Sequence, residues 1–171
     1  WFAHQWADVL PDIMTLAKAL GNGVPVGACL ARAKACNLFG PGKHGCTFGG
    51  GPFVAAICLA VIETIEKDRL LERARELGDY LTQRLQTRFA NTAMVKEIRA
   101  KGLMLGIVLD RNCFGMMPLG LKHKVLFNVV ANSIIRLLPA MTMSNHDADE
   151  LVERIGTCVE EFAASEHAQA S

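Results

Sequence analysis

The sequence lacks the features that mark membrane, secreted and nucleic-acid-binding proteins. No apolar run approaches the roughly 18–20 residues that a membrane span requires. No charged segment followed by an apolar one marks a signal peptide, and the first residue is Trp1 rather than Met, so we expect the natural beginning of the protein to be absent. The formal net charge is only +1, which gives no indication of a nucleic-acid-binding or anionic membrane surface.

The 6 cysteines lack the spacing of a metal site or a redox motif. No Cys-x-x-Cys pair occurs, and no group of cysteine and histidine has the spacing of a zinc site, so we predict no metal. Several cysteines lie among apolar residues, as Cys58 does, and we interpret them as free, mostly buried thiols in a reducing cytoplasm. A disulfide framework is the less favoured alternative, because the chain is neither short nor marked as secreted.

What is present is the composition of a globular protein, with 171 residues of which 51% are hydrophobic and 20% charged. The first half predicts a strand over Asp12–Leu16 and a buried strand over Val24–Ala31, followed by a glycine-rich loop over Phe39–Gly51. Pro52 opens a helix that is apolar on nearly all sides and is therefore predicted to be buried. An amphipathic helix follows from about Asp68 to Phe89.

The second half changes its hydrophobic period. Leu103–Leu109 predicts a buried strand, and Asn112–Lys124 predicts an irregular segment because it contains glycines and a proline. Val125–Val130 and Ile134–Leu138 are rich in β-forming residues, and a final helix starts at Asp147. This order of elements is that of an α/β or α+β protein.

Lys18 is the first candidate for chemistry, because it ends an apolar segment and precedes the turn Gly21-Asn22-Gly23. Burying an ammonium group is costly, so a buried lysine has a lowered pKa and becomes a good amine nucleophile. Such an amine forms a Schiff base with a carbonyl cofactor. From the local sequence alone, a surface lysine at a strand end is the favoured alternative.

Thr47 is the second candidate, since glycines surround its hydroxyl in the segment HGCTFGGG. Glycines let backbone N–H groups approach a phosphate, and the helix that starts at Pro52 favours an anion at its N-terminus. The segment lacks the residue order of a P-loop. A flexible connector is the alternative.

Arg136 is the third candidate, because it interrupts the apolar β segment SIIRLLPAM. An arginine in such a place needs an anionic partner, and its planar fork suits a carboxylate bound at two points. A structural ion pair with Glu or Asp, or an exposed position on an edge strand, is the alternative.

Three motifs in this order, PDIMTLAKALGNGVPVGACLA, FGPGKHGCTFGGGP and SIIRLLPAMTM, resemble the class III aminotransferases that depend on pyridoxal phosphate. Within this family the residues of the three motifs are most similar to those of the acetylornithine branch, and the resemblance runs from about Phe2 to Phe162. It implies an α/β fold, the C-terminal part of a PLP-dependent transferase of fold type I. Residues 1–90 would end the large cofactor-binding domain with a connecting helix, and residues 91–171 would form the small C-terminal domain.

The resemblance also implies a role for each candidate. Lys18 matches the lysine that forms the internal aldimine with pyridoxal 5'-phosphate and later moves the substrate proton. Thr47 matches the threonine that binds the cofactor phosphate of the neighbouring subunit in a homodimer, and Arg136 matches the arginine that holds the substrate α-carboxylate. The implied reaction moves an amino group from N-acetylornithine to 2-oxoglutarate in arginine biosynthesis. Ornithine, succinylornithine and 4-aminobutyrate stay open as donors.

Two differences from the family bear on what this chain does. Asn112–Lys124 is usually a regular helix, but here Gly115, Pro118 and Gly120 interrupt it, which puts the packing of the small domain in doubt. The family's other cofactor-binding residues lie upstream of this chain, so we expect the chain alone to have little or no activity. A non-catalytic remnant that only dimerises or binds a partner is the competing hypothesis.

Overall fold

The computed structural model describes residues 1–47 and 49–169, with side-chain detail up to residue 165. The chain forms two compact units, Trp1–Leu71 and Glu72–Ser171. This division lies near the start of the long amphipathic helix, whereas the boundary predicted from the sequence lies near residue 90. The domains at 1–90 and 91–171 stay a prediction, because the compact units of one chain need not coincide with the domains of a longer fold.

The first unit is built from two short strands and one long helix. Strands β1 (Ile13–Leu16) and β2 (Ala28–Ala31) are antiparallel, with Leu16 opposite Ala28. A turn of 3-10 helix, Lys18–Gly21, follows β1 directly and contacts helix α1 (Pro52–Lys67). The predicted loop is confirmed, since the described residues between 39 and 51 form neither helix nor strand.

The predicted burial of this unit is wrong. Helix α1 contains no buried residue, with Phe53 72% and Leu59 58% exposed, and β2 is mostly exposed as well. A helix that is apolar on nearly all sides needs cover on every side, and a two-stranded sheet with a 3-10 turn covers too little of it.

The cysteines divide between the two units, so the prediction of mostly buried thiols is also wrong. Only two are buried, Cys113 and Cys158, whereas Cys29, Cys36 and Cys46 are exposed. The exposed three lie in the thinly covered first unit, and the buried two lie in the core of the second.

The second unit is a four-stranded antiparallel sheet with three helices. Its strands are arranged in the order β3-β4-β6-β5, with helices before, between and after them in the chain. The bounds are α2 (Leu70–Phe89), β3 (Val95–Lys101), β4 (Met104–Leu109), α3 (Met117–Lys122), β5 (Asn128–Val130), β6 (Ile134–Leu137) and α4 (Asn145–Gln169).

One hydrophobic core holds this unit together. Helix α2 contributes leucines at helical spacing, and α4 contributes a second apolar stripe. In β4 the burial alternates, so that Leu105 and Ile107 face the core whereas Gly106 lies on the opposite face. The same alternation puts Ile135 in the core and leaves Arg136 on the face of Gly106.

The segment between β4 and β5 differs from the sequence prediction of an irregular stretch. It forms a short 3-10 helix and then α3, in which Pro118 occupies the first turn, where a missing backbone N–H costs little. Gly120 is required by close packing, since a Cβ there would lie 2.8 Å from the Val125 carbonyl oxygen. Cys113 and Met116 are fully buried, so the glycines and the proline do not loosen the packing of this unit.

Within the part of the chain that the structure describes, no helix has the length and apolarity needed to cross a membrane.

Candidate active site

Lys18 is the first residue of the 3-10 turn that follows β1, and its backbone conformation is uncommon. Its φ is +58°, in the left-handed region that residues other than glycine rarely adopt. Such strain costs on the order of 1–2 kcal/mol and persists only where the surroundings impose it. Here the 3-10 turn that begins at Lys18 is closely packed at its other end, because a Cβ at Gly21 would lie 2.6 Å from Cγ1 of Val26. The fold thus holds this lysine in one defined place at a strand end.

The side chain of Lys18 is exposed rather than buried. The burial that the sequence argument for Lys18 invokes is therefore not found in the residues described. No described hydrogen bond or ion pair engages the Lys18 amine, so it is available to an incoming group.

Thr47 is exposed in the glycine-rich loop, within a turn that shortly precedes α1. Gly49 donates its N–H to the Cys46 carbonyl at 3.2 Å, and Gly50 has a φ of +69°. Gly51 stands directly before the first turn of α1, and no side chain caps this end of the helix. Backbone N–H groups at the helix N-terminus are therefore left for an anion. Phe48, which belongs to the sequence motif, lies outside the described residues.

Arg136 lies in β6, an inner strand of the sheet between β4 and β5, so the alternative of an edge-strand position does not hold. Its partners in register are Gly106 on one side and Asn128 on the other. Arg136 Nε donates to Asn128 Oδ1 at 3.1 Å. Among the described ion pairs none includes Arg136, so the alternative of a structural pair with Glu or Asp finds no support there.

The three candidates divide between the units. Lys18 and Thr47 belong to the first unit and Arg136 to the second. No described hydrogen bond connects any two of them. Sequence reasoning missed Asn128 and Gly106, because only the strand register shows that they flank Arg136, and an Asn-Val-Val segment carries no local signal of this pairing.

Carboxylates with lowered pKa values hold helices together in this chain. The Tyr80 hydroxyl and the Arg84 guanidinium donate to Asp149 at 2.8 and 2.7 Å, and together they lower the pKa of that carboxyl. Hydrogen bonds from Lys122 and His123 lower the pKa of Glu161. Shifted pKa values often mark active sites, but these belong to clamps of α2 to α4 and of α3 to α4.

No group of three or more His, Cys, Asp or Glu side chains in residues 1–47 and 49–165 is arranged to hold a metal ion. The three candidate residues offer an amine, a hydroxyl and a guanidinium.

Known proteins are similar to this chain over nearly its whole length. The profile of the family described as "Aminotransferase class-III" matches residues 1–159. Acetylornithine aminotransferase 1 of Bordetella pertussis is 46% identical over 166 residues, which cover 97% of this chain and 42% of that protein. A second relative, acetylornithine aminotransferase of Nitrosomonas europaea, is 40% identical over 165 residues, which cover 96% of this chain and 42% of that protein.

Solved structures show the same likeness. The crystal structure of acetylornithine aminotransferase from Elizabethkingia anophelis has a TM-score of 0.83 at 29% identity, covering 93% of this chain and 41% of that one. Ornithine aminotransferase of Toxoplasma gondii, crystallised with partial occupancy of PLP at its active site, has a TM-score of 0.83 at 25% identity, covering 99% of this chain and 40% of that one. These structures confirm the predicted α/β fold, and the chain spans less than half the length of each relative.

Proposed function

This chain belongs to the class III aminotransferase family, and from that premise we propose that it is the C-terminal part of a PLP-dependent transaminase in arginine biosynthesis. The amino group would move from N-acetylornithine, or an ornithine-like ω-amino donor, to 2-oxoglutarate. The names of the relatives support the donor, since the relatives at 46% and 40% identity are acetylornithine aminotransferases and another, at 35% identity, is an ornithine aminotransferase. Because the chain covers 42% of the first of them, we expect little activity from it alone.

The residues of this chain fit pyridoxal phosphate, the cofactor that the family implies. When bound, the cofactor supplies an electron sink that eases loss of a proton beside the substrate nitrogen. Lys18 offers an exposed amine without a described partner, which suits the cofactor's aldehyde. Thr47 offers a hydroxyl beside the glycine turn at the N-terminus of α1, which suits the phosphate of the cofactor in a neighbouring subunit.

Lys18 would act twice in this scheme. Its Nζ would hold the cofactor, and the same amine would accept the substrate proton and return it. The family match over the segment that contains Lys18 is the observation that carries the proposal. The left-handed backbone at φ +58°, one of eight such non-glycine residues in the described chain, is consistent with it, because strained residues often occur at functional sites.

Arg136 would orient the substrate rather than take part in proton transfer. Its guanidinium has no described carboxylate partner, so it can bind the substrate α-carboxylate through two parallel N–H bonds. Fixing that end of the substrate limits the positions that the reacting C–H bond can take.

A homodimer is part of the proposal, and helix α1 supports it. Phe53, Leu59 and Ile62 are large apolar residues exposed on this one helix. Exposed apolar surface on several sides of a helix needs cover, part of which a second subunit would supply. The competing hypothesis of a remnant that only dimerises shares this observation, but it assigns no task to Lys18.

The test is chemical labelling of the full-length polypeptide that contains this chain. The protein is mixed with pyridoxal phosphate, reduced with borohydride, digested and mapped by mass spectrometry. We expect one dominant label on Lys18, with the exposed Lys34 and Lys43 as internal controls, and loss of the label in Lys18→Arg. Label spread evenly over surface lysines, with no transamination of N-acetylornithine, would leave only the non-catalytic hypothesis.

A further inference from the structure

We propose that Asn128 is a positioning residue, which holds the Arg136 guanidinium by its Nε so that both terminal amino groups face an incoming carboxylate. The inference rests on the proposed function for the identity of that carboxylate. Both residues belong to the four-stranded sheet of the second unit and lie on one of its faces.

The sheet register brings the two residues together. Asn128 of β5 is the direct partner of Arg136 in β6, so their side chains leave the sheet on the same face. The Asn128 Oδ1 accepts from Arg136 Nε at 3.1 Å, within the ordinary range of an N–H···O hydrogen bond.

This contact selects one edge of the guanidinium. A guanidinium has five N–H donors, and it can meet a carboxylate either through Nε and one terminal nitrogen or through both terminal nitrogens. Since Asn128 engages Nε, the edge formed by the two terminal nitrogens remains for a ligand.

An asparagine suits this task because it is neutral. An aspartate would form an ion pair and cancel the charge that attracts the substrate, whereas an amide oxygen orients the guanidinium and leaves its charge intact. The one acidic residue within the four strands of this sheet, Glu97, is already paired with Arg99 at 2.8 Å. The charge of Arg136 is thus oriented without being neutralised.

On the other side of Arg136, strand β4 supplies no side chain. Its register partner in β4 is Gly106, which has no side chain, and glycine within a strand often marks the close approach of a ligand. A Cβ at that position would lie 3.2 Å from Cγ2 of Ile134, so even a methyl group would be tight. Asn128 therefore holds Arg136 on the side of β5, whereas the neighbouring position in β4 contributes no side chain that could hold it.

The test compares two donors in the full-length protein. N-acetylornithine carries the carboxylate, and N-acetylputrescine is the same amine without it. For Asn128→Ala we expect KM for N-acetylornithine to rise about ten-fold, as one hydrogen bond to a charged group would give, with kcat little changed. Activity with N-acetylputrescine should stay at the parent level, and Asn128→Asp should raise KM for N-acetylornithine further.

A matched control is Asn145→Ala, which removes a comparable hydrogen bond, from Arg73 Nη2 to Asn145 Oδ1 at 2.9 Å. This variant should leave both KM values unchanged. Equal losses with both donors in Asn128→Ala, or unchanged KM for N-acetylornithine, would overturn the positioning role while leaving the proposed function in place.

A binding measurement separates the two proposals. Calorimetric titration with glutarate, a dicarboxylate without a reactive group, should give weaker binding to Asn128→Ala than to the parent or to Asn145→Ala. If the parent binds glutarate in this pattern but transaminates neither donor, the positioning role stands and the proposed function fails. If glutarate binds all three proteins equally, the positioning role fails.

Discussion

The left-handed φ of +58° at Lys18 has a cost that depends on the residue that stands there. A side chain with a Cβ is disfavoured in this region by on the order of 1–2 kcal/mol, whereas glycine is not. The fold thus maintains a strained backbone at the residue to which we assign the chemistry, and the strain can be measured apart from the amine.

We predict that Lys18→Gly is more stable than Lys18→Ala by about 1 kcal/mol in urea unfolding of the same chain. Both variants lack the amine, so their difference reports the backbone alone. Lys34 provides the control, since it lies in a 3-10 helix and is not among the residues with positive φ. At Lys34 the alanine variant should be more stable than the glycine variant. If alanine is also the more stable variant at Lys18, this residue carries no strain.

The spacing of apolar residues along a helix does not show which positions must be glycine for close packing, and Gly78 is such a position. It lies within α2 and is buried against the turn between β3 and β4. A methyl group there would overlap the Gly102 carbonyl oxygen and lie 2.7 Å from its carbonyl carbon. The turn cannot easily retreat, because Gly102 itself has a φ of +54° and joins two paired strands.

At the level of whole elements, we therefore predict that Gly78→Ala destabilises the second unit by about 2 kcal/mol, despite alanine's higher helix propensity of about 1 kcal/mol. Gly156→Ala in α4 is the control. Its added methyl would meet the Arg88 guanidinium, a mobile side-chain end whose ion pairs to Glu153 and Glu160 are partly exposed. Loss of such pairs and gain in propensity nearly cancel, so the change should stay within about 1 kcal/mol. Urea midpoints of both variants check this, and equal effects would contradict it.

The clamp between α3 and α4 predicts a dependence of stability on pH. Glu161 accepts from Lys122 Nζ at 2.5 Å and from His123 Nε2 at 2.7 Å, and these bonds lower the pKa of its carboxyl. A carboxyl whose pKa is lower in the folded state stabilises that state above the unfolded pKa, about 4.3. This contribution is lost as the pH falls through the folded pKa.

We expect Glu161→Gln to lower the free energy of unfolding at pH 6 and to have a shrinking effect as the pH falls below about 4.3. Unfolding in urea at a series of pH values measures this. Glu76→Gln, a substitution in α2 outside the described ion pairs, should give a small and constant difference. A Glu161→Gln effect that grows toward acid would reverse the sign of the linkage and exclude the clamp.

At the level of the whole molecule, the elements were more predictable than their surroundings. Helical spacing of leucines predicted α2, and Pro52 predicted the start of α1, because these signals are local. The burial of α1 was predicted wrongly, since burial depends on what covers a helix. Asn128 could not be found at all, because its pairing with Arg136 arises from strand register. Motif order identified Lys18, Thr47 and Arg136 as candidates, and their roles stay a proposal.

The distribution of buried apolar residues differs sharply between the units. Every buried hydrophobic side chain of the described structure lies at or beyond Leu77, in the second unit. Local stability follows the density of buried apolar contacts, so the two units should open with different free energies. The second unit has the core of a domain that unfolds cooperatively, whereas α1 has no buried residue.

Native-state hydrogen exchange of the 171-residue chain tests this difference. Backbone amides of β4 and β6 should exchange slowest, at rates set by global unfolding, and amides of α1 should exchange much faster. In the full-length polypeptide we expect the α1 amides to become protected, because its exposed Phe53 and Leu59 would then be covered. Slow exchange in α1 of the chain alone would mean that this helix is already covered, for example by self-association. A dilution series distinguishes that case, since protection from self-association falls with concentration, whereas protection within one chain does not.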